Sequence, residues 1–122
     1  MTHMLEMTFQ HLASVNFCRT HRWHSIESWS IADWSVAMAG EAGEVCNAVK
    51  KLKRIEQDIA NISDPDRQLS TRQEAIDKIG AEIADTVIYC DLLAQRCGLS
   101  LAEIVRAKFN KTSETYGFPE RL

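Results

Sequence analysis

The sequence contains few residues that break helices and none of the short turns that join β-strands. Two prolines and five glycines occur in 122 residues, and no Asn-Gly or Asp-Gly pair is present. No segment alternates apolar and polar residues as a half-buried strand does. The sequence therefore predicts an all-α protein with a four-helix-bundle-like fold.

Long apolar runs and an excess of basic residues are also missing. No run of 18 apolar residues occurs, so no membrane-spanning segment is expected. Residues 1–6 lack the basic and then apolar pattern of a signal peptide. The formal net charge is −3, with 14 basic and 17 acidic residues. Because nucleic-acid binding usually needs a basic field, no nucleic-acid partner is expected.

The cysteines form no CxxC pair, and three of the four fall inside helical patterns. This spacing favours free, reduced and mostly buried thiols over a disulfide framework or a zinc site. Reduced thiols predict a cytoplasmic location. The residues concerned are Cys18, Cys46, Cys90 and Cys97.

The length and the composition are those of one globular domain, which we expect to span residues 1–122. Apolar periodicity and capping residues predict helices over about residues 3–22, 31–58, 71–97 and 100–115. A polar loop is expected within residues 55–69. The expected N-terminal capping pairs are Ser30 with Asp33, Thr71 with Glu74, and Ser100 with Glu103; Gly98 and Gly117 are expected to end the third and fourth helices.

The second and third predicted helices carry apolar residues on more than one side. A single four-helix unit of this size also buries a limited apolar surface. Self-association into a homo-oligomer is therefore expected, and an active site shared between subunits would be compatible with it.

Two pairs of acidic residues are the strongest functional signal. Glu41 and Glu44 lie three residues apart on the second predicted helix, and Glu82 and Asp85 do so on the third. Residues at i and i+3 share a helix face, so packing of the two helices would gather four carboxylates. Carboxylates this close repel one another unless cations lie between them. Carboxylate oxygens are ligands that Mg²⁺ prefers, and Mn²⁺ is an alternative. Lys78, one turn before Glu82, could simply pair with it.

With Ala39–Glu44 and the Glu82-x-x-Asp85 pair, the chain resembles the MazG-like members of the all-α nucleoside triphosphate pyrophosphatase superfamily. That superfamily includes MazG proteins, dimeric dUTPases, dCTP pyrophosphatases and phosphoribosyl-ATP pyrophosphatase. The resemblance covers roughly residues 34–111. It departs from the family in a longer stretch between the two acidic pairs and in lacking the customary arginine after Asn110.

The resemblance implies hydrolysis of an NTP or dNTP to a nucleoside monophosphate and pyrophosphate, in a homodimer or homotetramer. A role in cleaning the nucleotide pool would follow. All four acids would hold the metal, and either Glu41 or Glu44, with Glu44 favoured, would accept the proton of the attacking water. The expected substrate contacts are Trp34, Lys53, Lys108, Asn110 and Lys111.

Other interpretations stay open at this point. Trp34 is as well explained by core packing as by a nucleobase pocket. The substrate could instead be dUTP or phosphoribosyl-ATP. A non-catalytic helical module, with acids that bind structural cations or a basic partner, is the alternative from a different class.

Overall fold

The computed structural model describes residues 6–122, and this part of the chain is helical and contains no strand. The predicted all-α class is therefore confirmed. Part of the first predicted helix, residues 3–5, lies outside the described residues. No helix of the described chain is both long enough and apolar enough to cross a membrane. The α-helices are α1 (Phe9–Thr20), α2 (Ile31–Asp58), α3 (Pro65–Arg96) and α4 (Leu101–Tyr116), with short 3-10 helices at Ile26–Ser28 and Ile59–Asn61.

The chain divides into two compact units. The central unit is Ser35–Tyr89, which contains most of α2 and α3. The terminal unit is formed by residues 6–34 together with Cys90–Leu122, and it contains α1, α4 and the C-terminal end of α3. The single domain expected over residues 1–122 stays a prediction.

The terminal unit has a small apolar core. Helices α1 and α4 are in contact within it. The indole N–H of Trp34 donates a hydrogen bond of 2.8 Å to the carbonyl oxygen of Ile26, which fixes the ring in the interior. The buried apolar residues of this unit are Ile26, Trp34, Leu92, Ala94 and Leu101.

In the central unit, α2 and α3 run antiparallel. Glu41, early in α2, lies near Glu82 late in α3, whereas Glu56 near the end of α2 pairs with Arg72 near the start of α3 at 3.3 Å. Ala48 is the buried apolar residue among those described in this unit. Two packed helices therefore present the acidic pairs but bury little apolar surface between them.

Two helix starts have the predicted capping residues. At the start of α2, the Asp33 N–H donates to the Ser30 hydroxyl and the Ser30 N–H donates to the Asp33 carboxylate, both at 3.0 Å. At the start of α4, the Ser100 hydroxyl accepts a hydrogen bond of 3.4 Å from the Glu103 N–H. Since each bond satisfies a backbone donor that lacks a partner within its helix, local sequence sets these boundaries.

The glycines that follow α3 and α4 also confirm the predicted helix ends. Gly98 and Gly117 have φ angles of 73° and 71°, the left-handed conformation that glycine adopts without a Cβ clash. The Leu99 N–H bonds to the Ala94 carbonyl, which closes the last turn of α3.

The start of α3 was predicted wrongly. Helix α3 begins at Pro65, not at Thr71, so Thr71 and Glu74 lie inside the helix instead of capping it. Pro65 occupies the first helical position, where the lack of an N–H costs nothing, and the Asp64 carboxylate accepts a hydrogen bond of 3.0 Å from the Asp66 N–H. The polar loop predicted within residues 55–69 shrinks accordingly to residues 62–64 between helical elements.

The burial predicted for the cysteine thiols was also wrong. All four cysteines are free, as expected, but three are exposed and Cys90 is only partly buried. Partial burial raises the pKa of the Cys90 thiol. The apolar interior of the chain is small, so a helical position does not by itself give a thiol a buried environment. The exposed cysteines are Cys18, Cys46 and Cys97.

Candidate functional site

Three carboxylates from α2 and α3 converge in the central unit. One oxygen from each of Glu41, Glu82 and Asp85 lies within 4.8 Å of the other two. The antiparallel packing of α2 and α3 causes this convergence, because it sets the first acidic pair beside the second. Oxygen ligands at this spacing suit a divalent cation such as Mg²⁺, which coordinates carboxylates directly at about 2.0–2.1 Å.

The three acids differ in their exposure to solvent. Glu82 is buried, with 8% of its surface exposed, whereas Glu41 is half-buried and Asp85 is exposed. A buried carboxylate is costly unless it is paired or coordinates a cation. The three carboxylates are therefore open to solvent on the Asp85 side. A nearby cation would stabilise Glu82 the most, because its carboxylate is the most buried of the three.

Mutual repulsion is evident at Glu41. Burial raises the pKa of its carboxyl, and the charges of Asp85, Glu82 and Glu44 raise the pKa further. A bound dication would offset both causes, since it favours the ionised form of each carboxylate. The chemistry of the donor set thus fits a divalent metal.

Lys78 supplies the positive charge nearest to these acids. Its Nζ lies 3.0 Å from Glu82 Oε1, one helical turn away on α3, so the pairing that the sequence made possible is present. The hydrogen bond to Glu82, the charge of Glu82 and the charges of Glu44 and Asp85 together raise the pKa of the Lys78 ammonium.

Glu44 is placed differently from the other three acids. It is exposed and lies outside the group of three, although its charge acts on both Glu41 and Lys78. Its role as a metal ligand or as a general base stays a prediction.

The predicted substrate contacts lie in both units. Lys53 is an exposed residue of α2, about 18 Å along the helix axis from Glu41. Lys108 and Lys111 are exposed on α4 in the terminal unit. Asn110, on the same helix, accepts a hydrogen bond of 2.8 Å from the Leu122 N–H and donates one of 3.3 Å to its carbonyl oxygen. Their roles toward a substrate stay predictions.

Trp34 lies in the interior of the terminal unit with 1% of its surface exposed. Its ring packs against Trp29 with centroids 4.6 Å apart, and Trp29 packs in turn against the exposed His24 at the same separation. The buried position agrees with the interpretation of Trp34 as a core residue. A nucleobase contact by Trp34 stays a prediction.

The sequence pattern did not predict the burial of Asp91. Asp91 is fully buried in the terminal unit, and its Oδ2 accepts hydrogen bonds from the side-chain amides of Asn16 and Gln95 at 2.9 and 2.8 Å. A signal was available, because Asp91 is a charged residue inside the otherwise apolar run of residues 87–94 near the end of α3.

A comparison with protein families matches residues 49–122 to the model described as the MazG-like family. That range is more than half of the chain. The protein belongs to the MazG-like family. Searches of curated proteins and of solved structures give no match.

Membership of the MazG-like family suggests a nucleotide pyrophosphatase activity in general terms. The matched range of this MazG-like chain contains Glu82 and Asp85 but begins after Glu41 and Glu44. The first acidic pair is therefore assigned from its residues and from its position beside α3, independently of the family match.

Proposed function

We propose that this MazG-like protein is a metal-dependent nucleoside triphosphate pyrophosphohydrolase. It would hydrolyse an NTP between the α- and β-phosphates, so that water adds to the α-phosphorus and pyrophosphate leaves. The observation that carries the proposal is the group of three carboxylates, Glu41, Glu82 and Asp85, within 4.8 Å of one another on two antiparallel helices. Family membership supports the same class of reaction.

The cation, Mg²⁺ or Mn²⁺, would be held by Glu41, Glu82 and Asp85, because one oxygen of each lies within 4.8 Å of the other two. When bound, the cation would neutralise phosphate charge and make a water molecule a better nucleophile. All three acids belong to helices, so a bound cation would be held by rigid elements instead of by flexible loops.

Glu44 is the residue we favour as the general base. It lies outside the group of three and is exposed, yet it is close enough for its charge to raise the pKa of Glu41. A carboxylate beside the cation-binding group, and not itself occupied by the cation, can accept the proton that the attacking water loses.

Basic and polar residues elsewhere would contact the polyphosphate. Lys108 and Lys111 are exposed, and neither forms an ion pair with another residue in the range 6–122. Lys108, Asn110 and Lys111 in the terminal unit and Lys53 in the central unit stay the residues predicted to contact the substrate. A nucleobase contact by Trp34 stays a prediction beside its packed position in the terminal unit. Canonical or modified dNTPs are the substrates we favour, in a pool-cleaning role, with dUTP and phosphoribosyl-ATP as alternatives.

We also propose that the protein acts as a homodimer or homotetramer. Large apolar side chains are exposed in the central unit, among them Val36, Leu69, Ile83 and Val49. A second copy of the chain would cover them, as a chain with so few buried apolar residues requires.

The test is pyrophosphate release from a panel of nucleotides, including dUTP and phosphoribosyl-ATP, with Mg²⁺ or Mn²⁺. Glu41→Gln should lower the rate by about a hundredfold or more and also weaken metal binding. Glu44→Gln should lower kcat but leave metal binding close to that of the wild type. Glu74→Gln, an exposed glutamate earlier on α3, is the matched control and should change neither.

Two outcomes would contradict parts of this proposal. A folded protein that binds metal but releases pyrophosphate from no nucleotide would be a cation-binding module instead of an enzyme. Equal loss of metal binding in Glu41→Gln and Glu44→Gln would make Glu44 a ligand and would leave the base unassigned.

A further inference from the structure

The Lys78–Glu82 pair is more than a surface contact between two exposed side chains. The Lys78 side chain is 63% exposed, but the Glu82 side chain is only 10% exposed. Among the described residues, Lys78 is the basic residue that forms an ion pair with the Glu82 carboxylate. The nearly buried Glu82 carboxylate is thus paired with the ammonium group of an exposed lysine.

The Lys78 ammonium also lies in the field of the other acids. Its Nζ lies 3.0 Å from Glu82 Oε1, and one oxygen from each of Glu41, Glu82 and Asp85 lies within 4.8 Å of the other two. These are the groups that repel one another at Glu41. The lysine therefore offsets part of the negative charge that a divalent cation would also offset.

An ammonium ion and a dication compete for the same oxygen. Lys78 is bonded to Glu82 Oε1, and Glu82 belongs to the group of three carboxylates. A dication bound to this group would lie a few ångströms from the Lys78 ammonium, and the two positive charges would repel each other.

We propose that Lys78 is a resident counter-ion of the Glu41, Glu82 and Asp85 group, which a divalent cation must displace from Glu82. This inference rests on the cation-binding part of the proposed function and does not require turnover.

Displacement is physically easy in this geometry. Lys78 lies four residues before Glu82, the weaker of the two orientations for an ion pair on a helix. Its exposed ammonium can rotate into water on a flexible four-carbon stem. Lys78 would consequently let α2 and α3 tolerate their acids without metal, while lowering the apparent affinity for metal.

The decisive experiment is a calorimetric titration of the full chain with Mn²⁺ alone at low ionic strength. Lys78→Met keeps most of the stem and removes the charge, so its Mn²⁺ dissociation constant should be about three- to tenfold lower than that of the wild type. Lys78→Arg keeps the competing charge and should stay close to the wild type. Lys51→Met, which removes an exposed charge from α2, corrects for the change in net charge.

A second readout is the melting temperature without metal, which should fall in Lys78→Met and stay unchanged in Lys51→Met. The loss should disappear when saturating Mn²⁺ is present, because the cation then replaces the ammonium. A merely structural lysine would lower the melting temperature equally with and without metal.

If Lys78→Met does not fold, the wild type with ¹³C-methylated lysines provides the test. The Lys78 methyl resonance should shift on addition of Mg²⁺ as the ion pair breaks, and it should not shift in Glu82→Gln. A Lys78 resonance that Mg²⁺ leaves unchanged in the wild type would overturn the inference.

The outcomes separate this inference from the proposed function. Saturable Mn²⁺ binding with the same affinity in Lys78→Met and Lys51→Met, or weaker binding in Lys78→Met, would overturn the counter-ion role alone. No saturable binding by the wild type would overturn both the counter-ion role and the metal site, whereas metal binding without turnover would leave the counter-ion role standing.

Discussion

At the scale of single residues, Asp91 is the least expected group in the terminal unit. Its side chain is fully buried, and Asn16 and Gln95 both donate to Oδ2. The Gln95 amide also donates to the Ala13 carbonyl at 3.0 Å, so one carboxylate and one amide connect α1 to the end of α3. Asp91 Oδ1 is buried without a hydrogen-bond partner in the described part of the chain.

Asp91→Ala should destabilise the fold by about 1–3 kcal/mol, because it removes the acceptor of the buried Asn16 amide and of the partly buried Gln95 amide. Asp91→Asn keeps an oxygen at the Oδ2 position and should destabilise the protein less. The free energy of unfolding, measured by denaturant titration without metal, checks this. Equal stability of Asp91→Ala and the wild type would contradict a structural role for the two hydrogen bonds.

At the scale of secondary-structure elements, the start of α2 is fixed by two reciprocal hydrogen bonds between Ser30 and Asp33. Hydrogen bonding by the Ser30 backbone N–H, which donates to the Asp33 carboxylate, and secondarily by the Ser30 side chain holds the pKa of Asp33 below its usual range. The folded state therefore binds the Asp33 proton less readily than the unfolded chain does.

A carboxyl whose pKa is lowered by folding stabilises the protein above its unfolded pKa and loses that contribution as the pH falls through the folded pKa. Asp33→Asn should therefore be less stable than the wild type at pH 6, and the difference should shrink as the pH falls below about 4. Denaturant unfolding of both proteins across this range measures the difference. If the difference in the free energy of unfolding between the two proteins stays constant with pH, the charge of Asp33 does not stabilise the start of α2.

At the scale of the whole molecule, the central unit exposes large apolar side chains to solvent. Among the described residues of this unit, the buried apolar side chain is that of Ala48, whereas Val36 is 71% exposed and Leu69 is 69% exposed. Covering these side chains requires a further apolar surface. Packing against another copy of the chain would provide that surface beside the carboxylate group.

Light scattering after gel filtration should therefore give a mass of at least twice 13.8 kDa. Val49→Glu, which introduces a charge at an apolar position of α2 that is 47% exposed, should shift the equilibrium toward the monomer. Gln57→Glu, at an exposed polar position of the same helix, adds the same charge and should leave the mass unchanged. A monomeric wild type at micromolar concentration would contradict self-association.

Much of the local structure was predictable because its determinants lie within one helical turn. The bounds of α2, the capping residues Ser30 and Ser100, and the glycines after α3 and α4 depend on neighbouring residues alone. The missed start of α3 also had a local signal in Asp64 and Pro65. The burial of the cysteines could not be predicted from their positions in helices, because it depends on which helix faces pack against other parts of the chain.

The sequence by itself determined the helices, their caps and the spacing of the acidic pairs, since hydrogen bonds between near neighbours set all three. It also indicated the Lys78–Glu82 pair, which lies within one helix. The tertiary structure decided which acids meet, bringing Glu41 to Glu82 and Asp85 but leaving Glu44 outside the group. It likewise joined Asn16 to a buried Asp91 that is 75 residues away. Contacts of this kind depend on how helices pack, and no spacing along the chain specifies them.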